Sequence, residues 1–281
     1  MLTPKVVIVK TRKGQRYADF IAKEINITGA RCGITGIKNL KDYLVNNKCS
    51  PNNTIIHSRA ANPTFIYRTL KEIEKEGYKV INPPETIKLT SDKFASCAYA
   101  LKQGIACAET IKSGKGEAEQ LIREKLGEWG KVIVKPITSQ GQGEFCFKVD
   151  DASQVKCIYD IPTEEIIIQR FVDYDRLYRV LVIGFRAVRD AVFWDSPGNG
   201  WKCSVCLNPM IKCEKGPAKE LLEFAEHVAR KFNAGISFID IFSTKEGYVL
   251  NEINTACNLA IHERISRCNI SKIIAEYLLS C

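Results

Sequence analysis

The first third of the chain alternates two hydrophobic periodicities. Short apolar runs at Lys5 to Lys10, Thr54 to His57 and Lys79 to Asn82 read as strands, while Tyr17 to Ile25 and Thr64 to Glu76 repeat apolar residues at helical spacing, the second closed by Gly77. Strands alternating with helices predict a small parallel sheet with helices packed on it. Ligands of such sheets gather beyond the carboxyl ends of the strands, so Arg59 and Asn62 are candidate substrate contacts. Loop residues bonded to nearby backbone would give the same pattern.

The consecutive prolines after Asn82 predict a hinge, with a second unit beginning after it. Ser91 is expected to cap a helix in which Phe94, Ala98 and Leu101 share a face and which stops at Gly104. Lys93 falls in its first turn, where a cation opposes the helix dipole unless it is solvated or meets an anion. Glu117 to Glu128 reads as an amphipathic helix, and KVIVKPITSQGQGEFCFKV as strand, polar turn and strand, the first strand being Lys131 to Pro136. Lys135 interrupts that apolar strand and must either snorkel out or meet an anion. The turn Ser139, Gln140, Gly141, Gln142, Gly143 has the small residues a backbone needs to close over phosphates. It has neither the G-x-x-x-x-G-K order of a P-loop nor a G-x-G-x-x-G opening a helix.

Further on, Glu165 to Val172 is an apolar strand interrupted at Gln169 and Arg170, and Arg176 to Gly184 and Arg186 to Trp194 read as antiparallel neighbours. Pro217 to Phe232 is a helix burying Leu221, Leu222, Ala225, Val228 and Ala229. A hairpin follows, Ile236 to Phe242 and Tyr248 to Ile253 around a Lys245-Glu246-Gly247 turn, and Ile270 to Leu279 closes the chain as a helix. Within this hairpin Asp240, Glu252 and Asn254 are polar positions inside apolar strands. Glu252 and Asn254 share a face and Asp240 can oppose them, an oxygen set that suits magnesium, although solvated carboxylates fit the pattern too. Three units follow from these divisions: 1–88, 89–170 and 171–281.

Composition narrows the class. With 281 residues, 45% hydrophobic and 26% charged, the chain reads as a multidomain globular protein without a membrane span, expected in the cytoplasm with its 12 cysteines reduced. A net charge of +9 favours acidic partners, but no Lys/Arg block with interleaved aromatics marks a nucleic-acid surface. Cys203, Cys206 and Cys213 lack an evident fourth ligand for a metal, and His262, after the hairpin, reads as a helix-start residue or as one that reaches the substrate, the first reading being favoured.

Five passages in this order, VINPPETIKLTSDKFASCAYALKQGI, VIVKPITSQGQG, IIIQRFV, YRVLVIG and FIDIFSTKEGYVLNEINTACN, resemble the ATP-grasp superfamily and most closely its RimK-type carboxylate–amine ligases. The resemblance implies an α/β (α+β) ATP-grasp fold behind a small parallel-sheet domain. It makes Lys93 and Lys135 phosphate ligands, Gln140 to Gly143 a loop over the triphosphate, and Gln169, Arg170, Phe171 and Val172 an adenine hinge read mainly by backbone. Arg179 would face the phosphates or an acyl phosphate, and Asp240, Glu252 and Asn254 would hold magnesium or manganese. Arg59, Asn62 and Lys202 would lie on the substrate side. Arg170 stands where the family usually has an acid, Leu177 where Asp is common, and Lys202-Cys203-Ser204 where Arg-Ser-Asn is usual, which leaves the acceptor open. The implied partners are ATP, a small-molecule or peptide carboxylate and an amino-acid amine such as glutamate, with a dimer or tetramer as the implied assembly. A kinase acting on a sugar or inositol phosphate, or a nucleotide-binding regulator, would share the same nucleotide parts.

Overall fold

The computed structural model describes residues 3–10, 15–59, 63–138, 145–197, 201–202, 211–256 and 259–281. Its first unit is a parallel sheet in the order β2-β1-β3-β4, built from β1 (Val6–Lys10), β2 (Cys32–Gly36), β3 (Ile55–Ser58) and β4 (Lys79–Ile81). Helices α1 (Gln15–Ile27), α2 (Leu40–Asn46) and α3 (Pro63–Lys75) connect the strands. The unbroken apolar run of β1 follows from having both faces covered. Val6 and Ile8 pack with α1, and Val7 and Val9 with Leu40, Leu44, Ile66 and Leu70. Strand β2 and helix α2 escape the sequence pattern because CGITG reads as a turn, yet Gly33 is there so that Tyr43 of α2 can lie against the strand.

Two expectations about the joint need correction. Pro84 does not end regular structure but opens a helix, α4 (Pro84–Ser91), at the position where a missing N–H has no consequence. The following helix, α5 (Lys93–Lys102), is capped by Asp92, whose Oδ1 accepts from the Ala95 amide at 2.9 Å; Ser91 belongs to the previous helix. Helix α5 therefore buries Ser96, Cys97 and Ala100, while Ala98 and Leu101 are exposed, the expected face having been set by a start one residue off.

The second sheet, β5-β8-β6-β7, is antiparallel and comprises β5 (Thr110–Gly114), β6 (Val132–Pro136), β7 (Phe147–Val149) and β8 (Glu165–Arg170), with α6 (Lys115–Trp129) between β5 and β6. Alternation splits it: Val132, Val134, Ile166 and Ile168 pack under α6, leaving Ile133, Lys135, Ile167 and Gln169 on the other face. The third sheet runs β12-β11-β9-β13-β14, with β10 also paired to β9. Its strands are β9 (Arg176–Ile183), β10 (Arg186–Ala187), β11 (Asp190–Asp195), β12 (Lys212–Lys215), β13 (Ile236–Thr244) and β14 (Gly247–Asn254). Helix α7 (Lys219–Lys231) covers Val180, Val182, Ile239 and Ile241, and α8 (Leu259–Ser266) and α9 (Ile270–Ser280) follow. No helix among the described residues is long and apolar enough to cross a membrane.

Part of the opposite face of the third sheet is covered too. Leu181, Ile183, Ile236 and Phe238 form one core with Val6, Ile8, Ile21 and Ile25 of the first unit and Ile274 and Leu278 of α9. Asn82 fastens the same junction: its Nδ2 donates to the Ile236 carbonyl at 2.6 Å and its Oδ1 accepts from the Ile236 amide at 2.8 Å, all fully buried. Asn82→Ala removes both bonds and leaves two buried backbone groups unpaired, so it should lower unfolding free energy by about 2–4 kcal/mol. Urea unfolding of the variant measures it, and an unchanged midpoint would disprove the clasp.

Candidate active site

Register places a charged row across the middle of the third sheet. Arg179 of β9 pairs with Asp240 of β13, which pairs with Glu252 of β14, so all three side chains leave the same face. A β-bulge makes this possible. The pairing passes from Asp240↔Glu252 to Ile241↔Leu250, making Asn251 the extra residue. Leu250 and Ile253, three apart, consequently both join the core under α7, while Glu252 and Asn254 face the opposite way. A strict period of two could not have sent Leu250 and Glu252 to different faces.

Asp240 is 3% exposed. Arg179 grips it with two parallel bonds, Nε to Oδ1 at 2.6 Å and Nη2 to Oδ2 at 2.7 Å, and Asn254 Nδ2 approaches Oδ2 at 3.4 Å. Burial pushes the Asp240 carboxyl above the usual carboxylate range, the Arg179 guanidinium offsetting this only in part, and the neighbouring Glu252 adds to the rise. Glu252 is more accessible and faces the Lys93 ammonium at 3.7 Å. Two carboxylates and a carboxamide on one face are the hard oxygen donors a small divalent cation takes.

Across the cleft, Lys135 of β6 donates to Gln169 Oε1 at 2.9 Å. Gln169 is held in turn, its Nε2 donating to Thr110 Oγ1 at 2.9 Å and to Cys97 Sγ at 3.5 Å, which fixes the amide so that its oxygen faces the lysine. Lys93 opens α5, and its backbone N–H donates to Ile137 O at 3.0 Å, tying this helix to the strand that carries Lys135. Burial depresses the Lys93 ammonium, with Glu252 opposing that shift and Lys135 reinforcing it. Lys202 donates to the Cys146 carbonyl at 3.2 Å. Burial raises the Cys146 thiol while Lys135, Lys202 and Lys93 all act to lower it, so the three lysines surround one spot, with Glu252 also within reach.

The remaining sequence candidates fall around this centre. Arg170 points outward, its Nη1 on Glu109 Oε1 at 3.0 Å, and its amide donates to Glu109 O at 2.9 Å. The Phe171 amide donates to Lys131 O at 3.1 Å, and the Lys131 and Lys148 ammoniums lie 5.6 and 5.7 Å from the centre of its ring. Val172 follows, half-buried, just past β8. Arg59 is buried past β3 next to His57, in the first unit. Asn62 and Gln140, Gly141, Gln142 and Gly143 lie outside the described residues, as do Cys203 and Cys206. Among the described residues no group of three His, Cys, Asp or Glu forms a metal-holding cluster, Asn254 supplying the third oxygen of the set above. His262 falls in the first turn of α8 (Leu259–Ser266), as the sequence suggests, but is 3% exposed, edge-on to Phe238 at 4.9 Å and close enough to Arg179 to feel its charge. Thr110 and Cys97, which orient Gln169, carried no signal in the sequence because each reads as an ordinary strand or helix residue.

The sequence matches the RimK-like ATP-grasp domain over residues 90–278. It is 26% identical over 278 residues to coenzyme gamma-F420-2:alpha-L-glutamate ligase of Methanocaldococcus jannaschii, covering 92% of each chain. The enzyme of the same name from Methanococcus maripaludis is 24% identical over 277 residues, covering 89% of this chain and 93% of the relative. Among solved structures, ATP-grasp ligase PsnB with a precursor variant, Mg and ADP superposes with TM-score 0.76 at 14% identity, over 100% of this chain and 99% of that one. D-alanyl-alanine synthetase A from Vibrio cholerae gives 0.72 at 14%, over 100% and 99%. The mixed α/β architecture is thus that of ATP-grasp ligases.

His57 and His262 make the fold acid-sensitive. Each has an Nε2 that is buried without a hydrogen-bond partner among the described residues, and burial, followed by a nearby arginine, pushes both down from the ordinary 6.5 to about 3. The unfolded chain therefore binds these protons first, so their contribution is complete above 6.5 and is lost as pH falls towards 3. Within that window unfolding free energy should fall by up to about 2.7 kcal/mol per pH unit, two protons' worth. His262→Phe, which keeps a ring on Phe238, should halve the slope in urea titrations at successive pH values; an unaltered slope would show that His262 titrates normally.

Proposed function

This chain belongs to the RimK-like ATP-grasp family, and we propose that it uses ATP to join a carboxylate to the amine of an amino acid, with glutamate as that amino acid. It is an ATP-dependent carboxylate–amine ligase by its relatives and fold. Glutamate is favoured because the relatives over nine-tenths of the chain are named as glutamate ligases. The net charge of +9, with Lys202 near the cleft and Arg59 in the first unit, suits an acidic acceptor. The observation that carries the reading is the Arg179–Asp240–Glu252 row opposite Lys93 and Lys135.

Amide formation in water is uphill, so the carboxylate must first be activated. In the proposed reaction a carboxylate oxygen of the acceptor attacks the γ-phosphorus, the bond to ADP breaks, and an acyl phosphate forms; the amine nitrogen then attacks the acyl carbon and inorganic phosphate leaves. Asp240, Glu252 and the Asn254 carboxamide oxygen would hold magnesium, which when bound neutralises phosphate oxygens and keeps them aligned. Lys135 and Lys93 would neutralise further phosphate charge, Lys135 arriving already oriented by Gln169. Arg179, held on Asp240 by two bonds, would offset the charge that develops. The Gln140 to Gly143 turn would close over the triphosphate and keep water from the acyl phosphate. At the hinge the Arg170 and Phe171 amides already serve neighbouring carbonyls, so an amide donated to the adenine edge would come from Val172.

Amino acids crossed against carboxylate acceptors, with free phosphate and product mass as readouts, test the proposal. Lys135→Ala or Glu252→Gln should each reduce turnover by about a hundredfold or more. Lys41→Ala, which breaks only exposed bridges to Glu72 and Glu76, should leave it unchanged. Undiminished turnover of Lys135→Ala would refute the site, and phosphate retained on the acceptor would make the protein a kinase.

A further inference from the structure

The net charge of the chain belongs to one unit alone. Residues 1–88 hold 16 of the 41 lysines and arginines and 7 of the 32 acids, a balance of +9, whereas residues 89–281 hold 25 of each and balance at zero. The excess therefore sits on the amino-terminal sheet, and the two units that carry the cleft are neutral as a body. Within the first unit four acids are already matched, Glu72 and Glu76 by Lys41, and Glu74 and Glu85 by Lys71. The connectors that leave the carboxyl ends of β1, β2, β3 and β4 read TRKG, IKN, RAAN and NP, with four cations and no acid.

Backbone pairing brings two cations side by side at that end. The ladder between β1 and β3 is regular from the Ile55 amide on Lys5 O, at 2.9 Å, to the Arg59 amide on Val9 O, at 2.7 Å. Ile8 pairs with His57, so the next residues on the same face are Lys10 and Arg59, on strands about 4.8 Å apart. That face is turned towards the third sheet, because Ile8 and Ile55 belong to the core shared with Leu181, Ile236 and Phe238. Arg59 is 4% exposed, Lys10 is half-buried, and Lys38, exposed, follows the neighbouring strand β2. Lys10 makes no ion pair among the described residues. His57, next to Arg59 on this face, donates from Nδ1 to Ile81 O at 2.7 Å and is held neutral by burial, so it brings no negative charge. Like charges directly opposite on paired strands destabilise a sheet, and an anion lying across both reverses that effect.

We propose that this edge seats further negative groups of the acceptor. The substrate is then an elongated polyanion: one carboxylate is activated at the Arg179–Asp240–Glu252 row while other carboxylates or phosphates rest on Lys10, Lys38 and Arg59. The junction between the sheets sets its length. The His57↔Ile81 pairing puts Arg59 beside Asn82, Asn82 is bonded to Ile236, and Asp240 lies four residues further along the same strand, about 13 Å. That is the span of about four residues of extended peptide. Identification of the bound anion as the acceptor rests on the ligase function proposed above; the anion site itself does not.

Calorimetry on the full-length protein saturated with Mg-ADP, which fills the phosphate site, tests the edge with three probes. These are N-acetyl-tri-L-glutamate, the tri-L-glutamine peptide of the same length that keeps only its terminal carboxylate, and 2,3-bisphosphoglycerate. At least one of the two polyanions should bind, the tighter showing whether carboxylates or phosphates fit, and the glutamine peptide should bind at least about tenfold more weakly than it. Lys10→Ala should weaken the tighter polyanion by about tenfold, one charge-assisted contact, while a parental Mg-ATP affinity shows that the variant is folded. Lys245→Ala, the same loss of charge on the exposed β13–β14 turn, should leave the polyanion bound as before. Binding of neither polyanion, equal binding of the glutamine peptide, undiminished binding by Lys10→Ala, or an equal loss in Lys245→Ala would each overturn the proposal. A polyanion that binds at Lys10 yet yields no phosphate release with ATP and amino acids would instead count against the ligase reading and leave the site standing.

Discussion

Asp240 is an ionisable group in the middle of a sheet whose neighbouring positions on the same face, Phe238 and Leu181, belong to a dry core. A carboxylate there is tolerable only with a fixed cation, and Arg179 supplies one with fork-to-fork geometry from the adjacent strand. The pairing in turn demands that β9 and β13 keep their register, because a slip of one residue would send Arg179 under α7. The long pairing of β13 with β9, with apolar residues filling both sides, keeps that register. Stability and site are therefore the same problem here: the strands that bury the core are the strands that aim the charges.

The positive half of the cleft is built differently. Lys135 and Gln169 come from the second sheet, on the face not covered by α6, and Lys93 from the first turn of α5. A lysine at that helix start is unfavourable by itself, and Glu252 facing it at 3.7 Å compensates. The acids sit on a sheet with two packed faces, and the lysines on a smaller sheet with one. Charge of each sign is thus carried by a different body, and a polyanion with its cation would be shared between them.

How much of this could be read from the residues depends on whether the signal was local. The alternation of β1, α1, β3 and α3, the β6–β7 hairpin and the closing β13–β14 hairpin were legible, because each is a run with its own period and its own turn. Asp240, Glu252 and Asn254 stood out for the same reason: polar letters in apolar strands. Strand β2 was not legible, since its glycines serve Tyr43, a partner fixed only by tertiary packing. The α5 cap shifted from Ser91 to Asp92 because two adjacent residues could both cap and only the preceding helix decides between them. The bulge at Asn251 was invisible as a break in alternation, although without it Glu252 would share the face of Leu250, under α7. The seating of Gln169 between Lys135, Thr110 and Cys97 joins three elements far apart in sequence, and no spacing rule reaches that far.

The shared core between the first and third sheets has a bearing on evolution by recombination. Helix α9, the last in the chain, packs on α1, and lysines of the first unit reach its end, Lys5 to the Leu279 carbonyl and Lys79 to the Cys281 carbonyl, both at 3.1 Å. The amino-terminal module is therefore not a detachable cassette, for its floor is made by the opposite end of the polypeptide. A hybrid that borrows such a module from another ligase must bring the matching tail with it, so changes of acceptor should arise more readily by drift of loop residues than by swapping whole modules.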